Sequence, residues 1–351
     1  MRAWRVHAHG PPREALRLDE IPAPEPGPGE LRVRVAAFAL NYNELDGILG
    51  RYRTVAPPLP FTPGMEVLGR VDAAGPGAEQ WLGRRVCAIP GGAFGGYAEW
   101  AVGPAVTAFE MPEAIPDEEA AALYFPFHLA WLGLFERGRL AAGETLLVHA
   151  AAGGVGSAAL QLARDAGARL IATAGSAAKL ALCRELGAEL AIDYRDGAFA
   201  ERVNEATGGR GVDVVFDGVG GAVTAESQRC LGFGGRLLVV GFASGIEAED
   251  EPGPPPRTLC FGNFDLLGVC LAYADDPLAV RRASGFNFPS RETGARIHRE
   301  VLARLERGAV RPVIGGRVPF ESLPEAFDAF LGRESVGRIV IRLQPEGGAP
   351  C

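Results

Sequence analysis

The residues of this chain with the plainest chemical purpose are glycines. The stretch HAAAGGVGSAALQLA, residues 149–163, sets Gly153, Gly154 and Gly156 between an apolar run, TLLVHA (145–150), and a helical pattern opening at Ser157. Glycines so spaced allow a tight turn, let the backbone approach a pyrophosphate, and bring the helix close against the strand. The first helical turn then offers unpaired N–H groups and the positive end of its dipole to phosphate oxygens. Val155 lies inside the loop, and Ala151 stands where the G-x-G-x-x-G pattern has its first glycine, a position that asks only for a small side chain. A glycine triplet alone is weak evidence. Here a strand before it, a helix after it and a second strand–helix unit behind it supply the context the motif requires. The competing reading is a glycine-rich turn in some other α/β protein.

The second strand, RLIATA (169–174), bears on which dinucleotide would fit. An NAD site wants an Asp or Glu near that strand's end to hold the ribose 2′-OH. The run here is Thr173, Ala174, Gly175, Ser176 and then Lys179, the only lysine in a chain whose other basic residues are all arginine. A hydroxyl and a cation suit a 2′-phosphate and leave nothing to repel it. The competing reading is a surface lysine on a solvent-facing helix.

The elements that must position these groups fall into two rhythms. From about residue 119, apolar runs alternate with helical patterns: TLLVHA, RLIATA, a short strand around LAIDY (190–194), VDVVFD (212–217), GRLLVVG (235–241) and FDLLGVCL (264–271). That alternation predicts a parallel sheet covered by helices on both faces. Residues 1–118 are instead rich in Pro and Gly, with short β-type runs such as LRVRVAAF (31–38) and RRVCAI (84–89). After one strong helix, ARIHREVLARLERG, the chain ends on VGRIVIRL, which resembles the first region more than the second. The expectation is an α/β protein in which a doubly wound domain, 119–272, is inserted into a β-rich domain built from 1–118 and 273–351.

The bulk composition excludes several classes. A net charge of −8 without any basic run argues against a nucleic-acid surface. No signal-peptide pattern opens the chain, and no apolar run is long enough to span a bilayer. A soluble, cytoplasmic protein with no membrane partner is the simplest expectation. Six scattered cysteines, Cys87, Cys183, Cys230, Cys260, Cys270 and Cys351, have no C-x-x-C spacing and read as reduced thiols rather than a disulfide or zinc framework. The histidines show no ligand spacing either. His149 reads as a strand-end residue beneath the glycine loop, and His128 is the only histidine weighed as a pocket residue.

With these motifs in hand, the sequence resembles the zinc-independent quinone oxidoreductases related to zeta-crystallin, in the medium-chain dehydrogenase/reductase superfamily. The resemblance runs nearly end to end, through ALNYNELDGILGRY (39–52), FTPGMEVLGRV (61–71), GGYAEW (95–100), RGRLAAGETLLVHAAAGGVGSAALQLA (137–163), RELGAELAIDY (184–194), GVDVVFDGVGG (211–221) and VGRIVI (336–341). It implies a GroES-like catalytic domain, a Rossmann domain, NADPH in the cleft between them, and a homodimer. An apolar edge around Leu266–Leu271 is the expected dimer strand, since such an edge left bare would aggregate. By the same resemblance, Gly153, Gly154, Val155 and Gly156 would meet the pyrophosphate, and Ser176, Lys179 and Tyr194 would surround the 2′-phosphate. Gly241 and Phe242 would lie beside the nicotinamide, Asn263 would contact the cofactor, and Asn41 and Tyr52 would sit near nicotinamide and substrate.

The sequence departs from the family at several places. Glu44 stands where Asp is common, Asp46 and His128 occupy positions that vary, and the stretch 272–293 is longer than usual. The zinc-dependent branch has a Cys and then a His, in G-H-E, where this chain has Asn41 and Met65, with Glu66 kept. Neither an amide nor a thioether competes for Zn²⁺ with a thiolate and an imidazole. The expectation is therefore metal-free hydride transfer to an electron-poor acceptor such as a quinone or enone, with Asn41, Tyr52 and, as an outsider, His128 in catalytic roles. Two alternatives stay open: an enoyl-thioester or alkenal double-bond reductase, and a non-catalytic NADPH-binding protein like the crystallins.

Overall fold

The structure is a computed structural model and describes residues 1–52, 56–245, 255–332 and 334–343. The polar tail 344–351, Cys351 included, lies outside the described residues. The chain divides into two compact units: Met1–Tyr124 with Ala272–Ala295 and Ile314–Cys351, and Phe125–Leu271 with Arg296–Val313.

In the first unit β1 (Arg2–Val6) and β2 (Leu16–Glu20) form an antiparallel pair. A larger sheet is built from β3 (Glu30–Ala39), β4 (Val67–Ala74), β5 (Arg85–Ala88), β6 (Trp100–Pro104) and β7 (Ala108–Glu110). Strand β3 alternates buried and less buried residues along most of its length, as a strand with one core face should. Its inward Phe38 stacks on Tyr97 with ring centroids 4.6 Å apart, and both are fully buried.

In the second unit all six strands are parallel: β8 (Thr145–Val148), β9 (Arg169–Ala174), β10 (Leu190–Asp193), β11 (Val212–Asp217), β12 (Leu231–Val239) and β13 (Asp265–Gly268). Their order is β10-β9-β8-β11-β12-β13. Numbered from the first strand, this is 3-2-1-4-5-6, the Rossmann order, and the direction of winding reverses between β8 and β11. Strands buried on both faces read as unbroken apolar runs, which is why TLLV is buried at every position. Two further strands, β14 (Ile314–Pro319) and β15 (Arg338–Arg342), return to the first unit's sheet, where β15 pairs with β3.

The structure redraws two expectations. The stretch DEEAAALYFPFHLAWLGLFERG, 117–138, whose composition suggests one long helix, breaks into Asp117–Ala121, Tyr124–Trp131 and a π-helical turn Leu132–Arg137. Residues 296–313, expected with the β-rich domain, belong to the second unit. The helix Arg291–Glu306 is tied there by Arg296 to Glu136 at 2.9 Å, and just beyond it Arg307 binds Asp165 and Arg311 N–H donates to Gln161 Oε1 at 2.8 Å. Sequence pattern identified the helix, but only these long-range bonds choose its side. Among the described residues no helix is long and apolar enough to cross a membrane.

Candidate functional site

In the second unit the expected cofactor residues gather at the carboxyl ends of the strands. The helix Gly154–Asp165 starts at Gly153, with no side chain capping it. Its first intrahelical bond runs from Ser157 N–H to Gly153 C=O at 2.9 Å. The N–H groups of Gly154, Val155 and Gly156 therefore have no partner within the helix, which is the arrangement an anionic ligand needs. A Cβ at Gly156 would lie 2.5 Å from the Ala150 carbonyl oxygen and 2.7 Å from Ala151 Cα. This glycine is thus required for helix and strand to approach.

One strand over, Ser176 is the N-cap of the helix Ala177–Glu185 and accepts from Lys179 N–H at 3.3 Å. A Cβ at Gly175 would meet the Tyr194 hydroxyl at 2.5 Å. Gly175, Ser176, Lys179 and Tyr194 are thus neighbours although Tyr194 follows a different strand, β10. The acid preceding it, Asp193, is engaged by Arg195 at 2.6 Å. Arg195 holds that carboxyl down at about 2. Across the reversal point the loops after β11 and β12 run side by side: Ala243 N–H donates to Gly218 C=O and Ser244 N–H to Val219 C=O. Gly241 and Phe242 lie in the second of these loops, with Phe242 half exposed.

Two expected residues fall elsewhere. Asn263 caps the helix Pro256–Gly262, and its carbonyl accepts from Gly234 N–H at 2.8 Å, near the amino end of β12. Gly241 is seven residues further along, roughly 20 Å away at the rise of an extended strand. Asn263 therefore lies at the opposite end of the strands from the glycine loop. His128 has no exposed surface, and its Nε2 is 3.0 Å from Nδ1 of His298. Burial, reinforced by that second ring, holds it well below the usual histidine value, so it stays neutral. Asn263 thus lies away from the glycine loop, and His128 is a buried ring paired with His298.

In the first unit Asn41 is the centre of a buried polar network. Its Oδ1 accepts from Arg338 Nη1 at 2.7 Å, while its Nδ2 donates to Glu66 Oε1 at 3.1 Å and Ala39 C=O at 3.3 Å. Arg338 Nη2 also donates to Glu66, and all three residues are nearly sealed from solvent. Glu44 accepts from Asn41 N–H at 2.6 Å, Met65 N–H at 2.7 Å and the Tyr97 hydroxyl. Burial pushes the Glu44 carboxyl up to about 7, against the opposing pull of those three donors. Both Asn41 amide hydrogens are committed to protein acceptors. Asn41 thus orients the network, and donating to a substrate oxygen would break one of these bonds. Tyr52, a few residues beyond the helix Tyr42–Leu49, is half-buried.

Arg338 and Tyr97 were not legible as site residues. The one available signal was an arginine opening the strand RIVIR ahead of three apolar residues, in a chain that retains an acid at Glu66. A buried charge demands a partner. Among the described residues no group of three or more His, Cys, Asp or Glu side chains is arranged to hold a metal ion.

Two family models match this chain: an alcohol dehydrogenase GroES-like domain over residues 27–113 and a zinc-binding dehydrogenase domain over 154–283. The synaptic vesicle membrane protein VAT-1 homolog of Mus musculus is 32% identical over 340 residues, covering 95% of this chain and 82% of that protein. The quinone oxidoreductase of Rattus norvegicus is 30% identical over 346 residues, 98% of each. A mycobacterial protein solved in complex with NADPH superposes with a TM-score of 0.85 at 32% identity, covering 97% of this chain and 100% of that one. A doubly wound sheet in Rossmann order, set in a chain with a GroES-like unit, defines a medium-chain dehydrogenase/reductase. The chain belongs to the quinone oxidoreductase-like family of that superfamily.

Proposed function

We propose that this protein is an NADPH-dependent oxidoreductase that transfers hydride to a quinone or a similar electron-poor acceptor without a metal. The observation that carries the reading is the Asn41–Glu66–Arg338 cluster. At the positions where zinc enzymes of the superfamily carry Cys and His, this chain has an amide bonded to an arginine and a thioether. The donor set is wrong for Zn²⁺, and a guanidinium already neutralises Glu66. With no Lewis acid to polarise an alcohol or ketone, an acceptor must be electron-poor from the start.

The residues present fit NADPH. Gly154, Val155 and Gly156 would offer N–H groups to the pyrophosphate, while Ser176, Lys179 and Tyr194 would hold the 2′-phosphate. Gly241 and Phe242 would border the nicotinamide, whose hydride is the chemistry the cofactor supplies. Asn41, held by Arg338 and Glu66, is a positioning residue for the helix that leads to Tyr52. The Tyr52 hydroxyl is the side-chain donor we assign to the oxygen of the acceptor. The assembly we propose is a homodimer joined through β13.

The decisive measurement is NADPH oxidation against a panel of quinones, enones, enoyl-thioesters and ketones, together with NADP+ reduction by alcohols, each with and without chelator. Turnover of quinones that chelation leaves unchanged is expected. Alcohol or ketone turnover lost on chelation would overturn the metal-free reading. A preference for enoyl-thioesters would select the double-bond reductase instead, and tight NADPH binding with no acceptor would select the non-catalytic one.

A further inference from the structure

His149, on the second unit's first strand-to-loop junction, has no place in the chemistry above, yet it is 2% exposed and makes two side-chain hydrogen bonds. Its Nδ1 lies 2.9 Å from Thr173 Oγ1 on β9, and its Nε2 lies 2.8 Å from Ser227 Oγ at the end of the helix Ala222–Ser227. The hydrogens can be counted. Ser227 Oγ donates to the Val223 carbonyl at 2.7 Å, and a carbonyl can only accept. The hydrogen between His149 and Ser227 therefore belongs to Nε2. Nδ1 is then bare and accepts from the Thr173 hydroxyl. With the ring neutral, every hydrogen has one place. Burial holds it down at about 4, with Asp217 pulling the other way.

The backbone repeats these ties. His149 N–H donates to Phe216 C=O on β11 at 3.0 Å, and Ala151 N–H donates to Thr173 C=O at 3.2 Å. Between them Ala150 adopts φ 49°, a left-handed conformation that costs a residue with a Cβ and persists only where its surroundings enforce it. Thr173 is thus clamped to the root of the glycine loop by both its carbonyl and its hydroxyl. Three residues further on comes Ser176, and six further on Lys179. On the other side, Ser227 closes a helix whose Thr224 binds Asp217, the residue that also accepts from Val219 and Gly220 N–H at 2.8 and 3.1 Å.

We propose that His149 is a positioning residue for cofactor selectivity: through Thr173 it fixes the end of β9, and so places Ser176 and Lys179 relative to the glycine loop. The pyrophosphate and the 2′-phosphate are held a short covalent span apart by one adenosine ribose, so this register governs how well both are bound at once. The inference rests on the NADPH reading above.

The test compares NADPH and NADH dissociation constants, by calorimetry, for the full chain and for His149→Phe, His149→Gln and Thr173→Val. Phe removes both ring bonds, Gln retains one donor and one acceptor, and Val removes only the Thr173 hydroxyl with almost no change of shape. In His149→Phe and Thr173→Val the NADPH-over-NADH preference should fall about 5-fold or more, the loss of roughly one hydrogen bond's worth of alignment. His149→Gln should stay within about 2-fold of the wild type. Melting temperatures that drop while the preference holds in both Phe and Val variants would make His149 merely structural and overturn the proposal. If the Phe variant does not fold, Thr173→Val alone decides. A wild type that binds the two cofactors equally would instead overturn the NADPH reading, and this inference with it.

Discussion

At the scale of single residues, two charges carry separable predictions. If Lys179 holds the 2′-phosphate as proposed, it acts far from the hydride and binds ground state and transition state alike. A hydrogen bond to a charged partner contributes roughly 1.5–3 kcal/mol, so Lys179→Ala should raise the KM for NADPH about 10- to 100-fold and leave that for NADH nearly unchanged. Equal losses for both would make the lysine surface decoration. Glu44 carries the second. Its folded value near 7 stands above the ordinary 4.5, so the stabilisation it gives is complete below pH 4.5 and is lost as the pH rises through 7. The span corresponds to something on the order of 3 kcal/mol. Glu44→Gln has no charge to bury, so its stability relative to wild type should improve between pH 5 and pH 8 in denaturant titrations. A constant difference across that range would show that Glu44 is ionised throughout.

At the scale of elements, the junction of β8 with the helix Gly154–Asp165 is the most constrained. A methyl group at Gly156 must displace the Ala150 carbonyl, which is backbone and cannot rotate away as a side chain would. Gly156→Ala should therefore move the helix start and weaken NADPH and NADH together, by about 10-fold or more for a shift near 1 Å. Their ratio should be preserved, the opposite of the Lys179 result. Measuring both cofactors in both variants separates pyrophosphate from 2′-phosphate recognition. A Gly156→Ala protein with wild-type affinity would show that the close approach is not needed.

For the whole molecule, the question is what covers β13. It ends the second unit's strand order, pairing with β12 on one side, and Leu266 on it is 37% exposed. Phe261 and Phe233, which bracket its amino end, are 73% and 92% exposed. A bare parallel edge with apolar neighbours invites a second strand, and a two-fold pairing of the same edge closes on itself without leaving a template for fibres. Light scattering at micromolar concentration should give twice the chain mass, and Leu266→Asp should shift it towards one. A wild-type monomer would remove β13 as an interface.

The sequence by itself determined the parallel sheet and the glycine loop, and it puts weak zinc ligands at Asn41 and Met65. Those properties are local: burial on both faces makes each strand an apolar run, the loop needs its glycines in consecutive order, and Asn41 and Met65 are poor ligands wherever they lie. It also brought Ser176 and Lys179 together, because a helix N-cap and its third residue are neighbours by construction. Tertiary structure alone decided the rest. Arg338 reaches Asn41 across 297 positions, so nothing in either segment announces the pair. The same holds for His128 and His298, 170 positions apart, where burial turned an expected pocket histidine into a neutral core pair. Asn263 was carried over by resemblance, which does not say at which end of a parallel sheet a connection lies. Buried polar groups must find partners wherever the fold brings them. That requirement is nonlocal, and it is what only the folded chain could resolve.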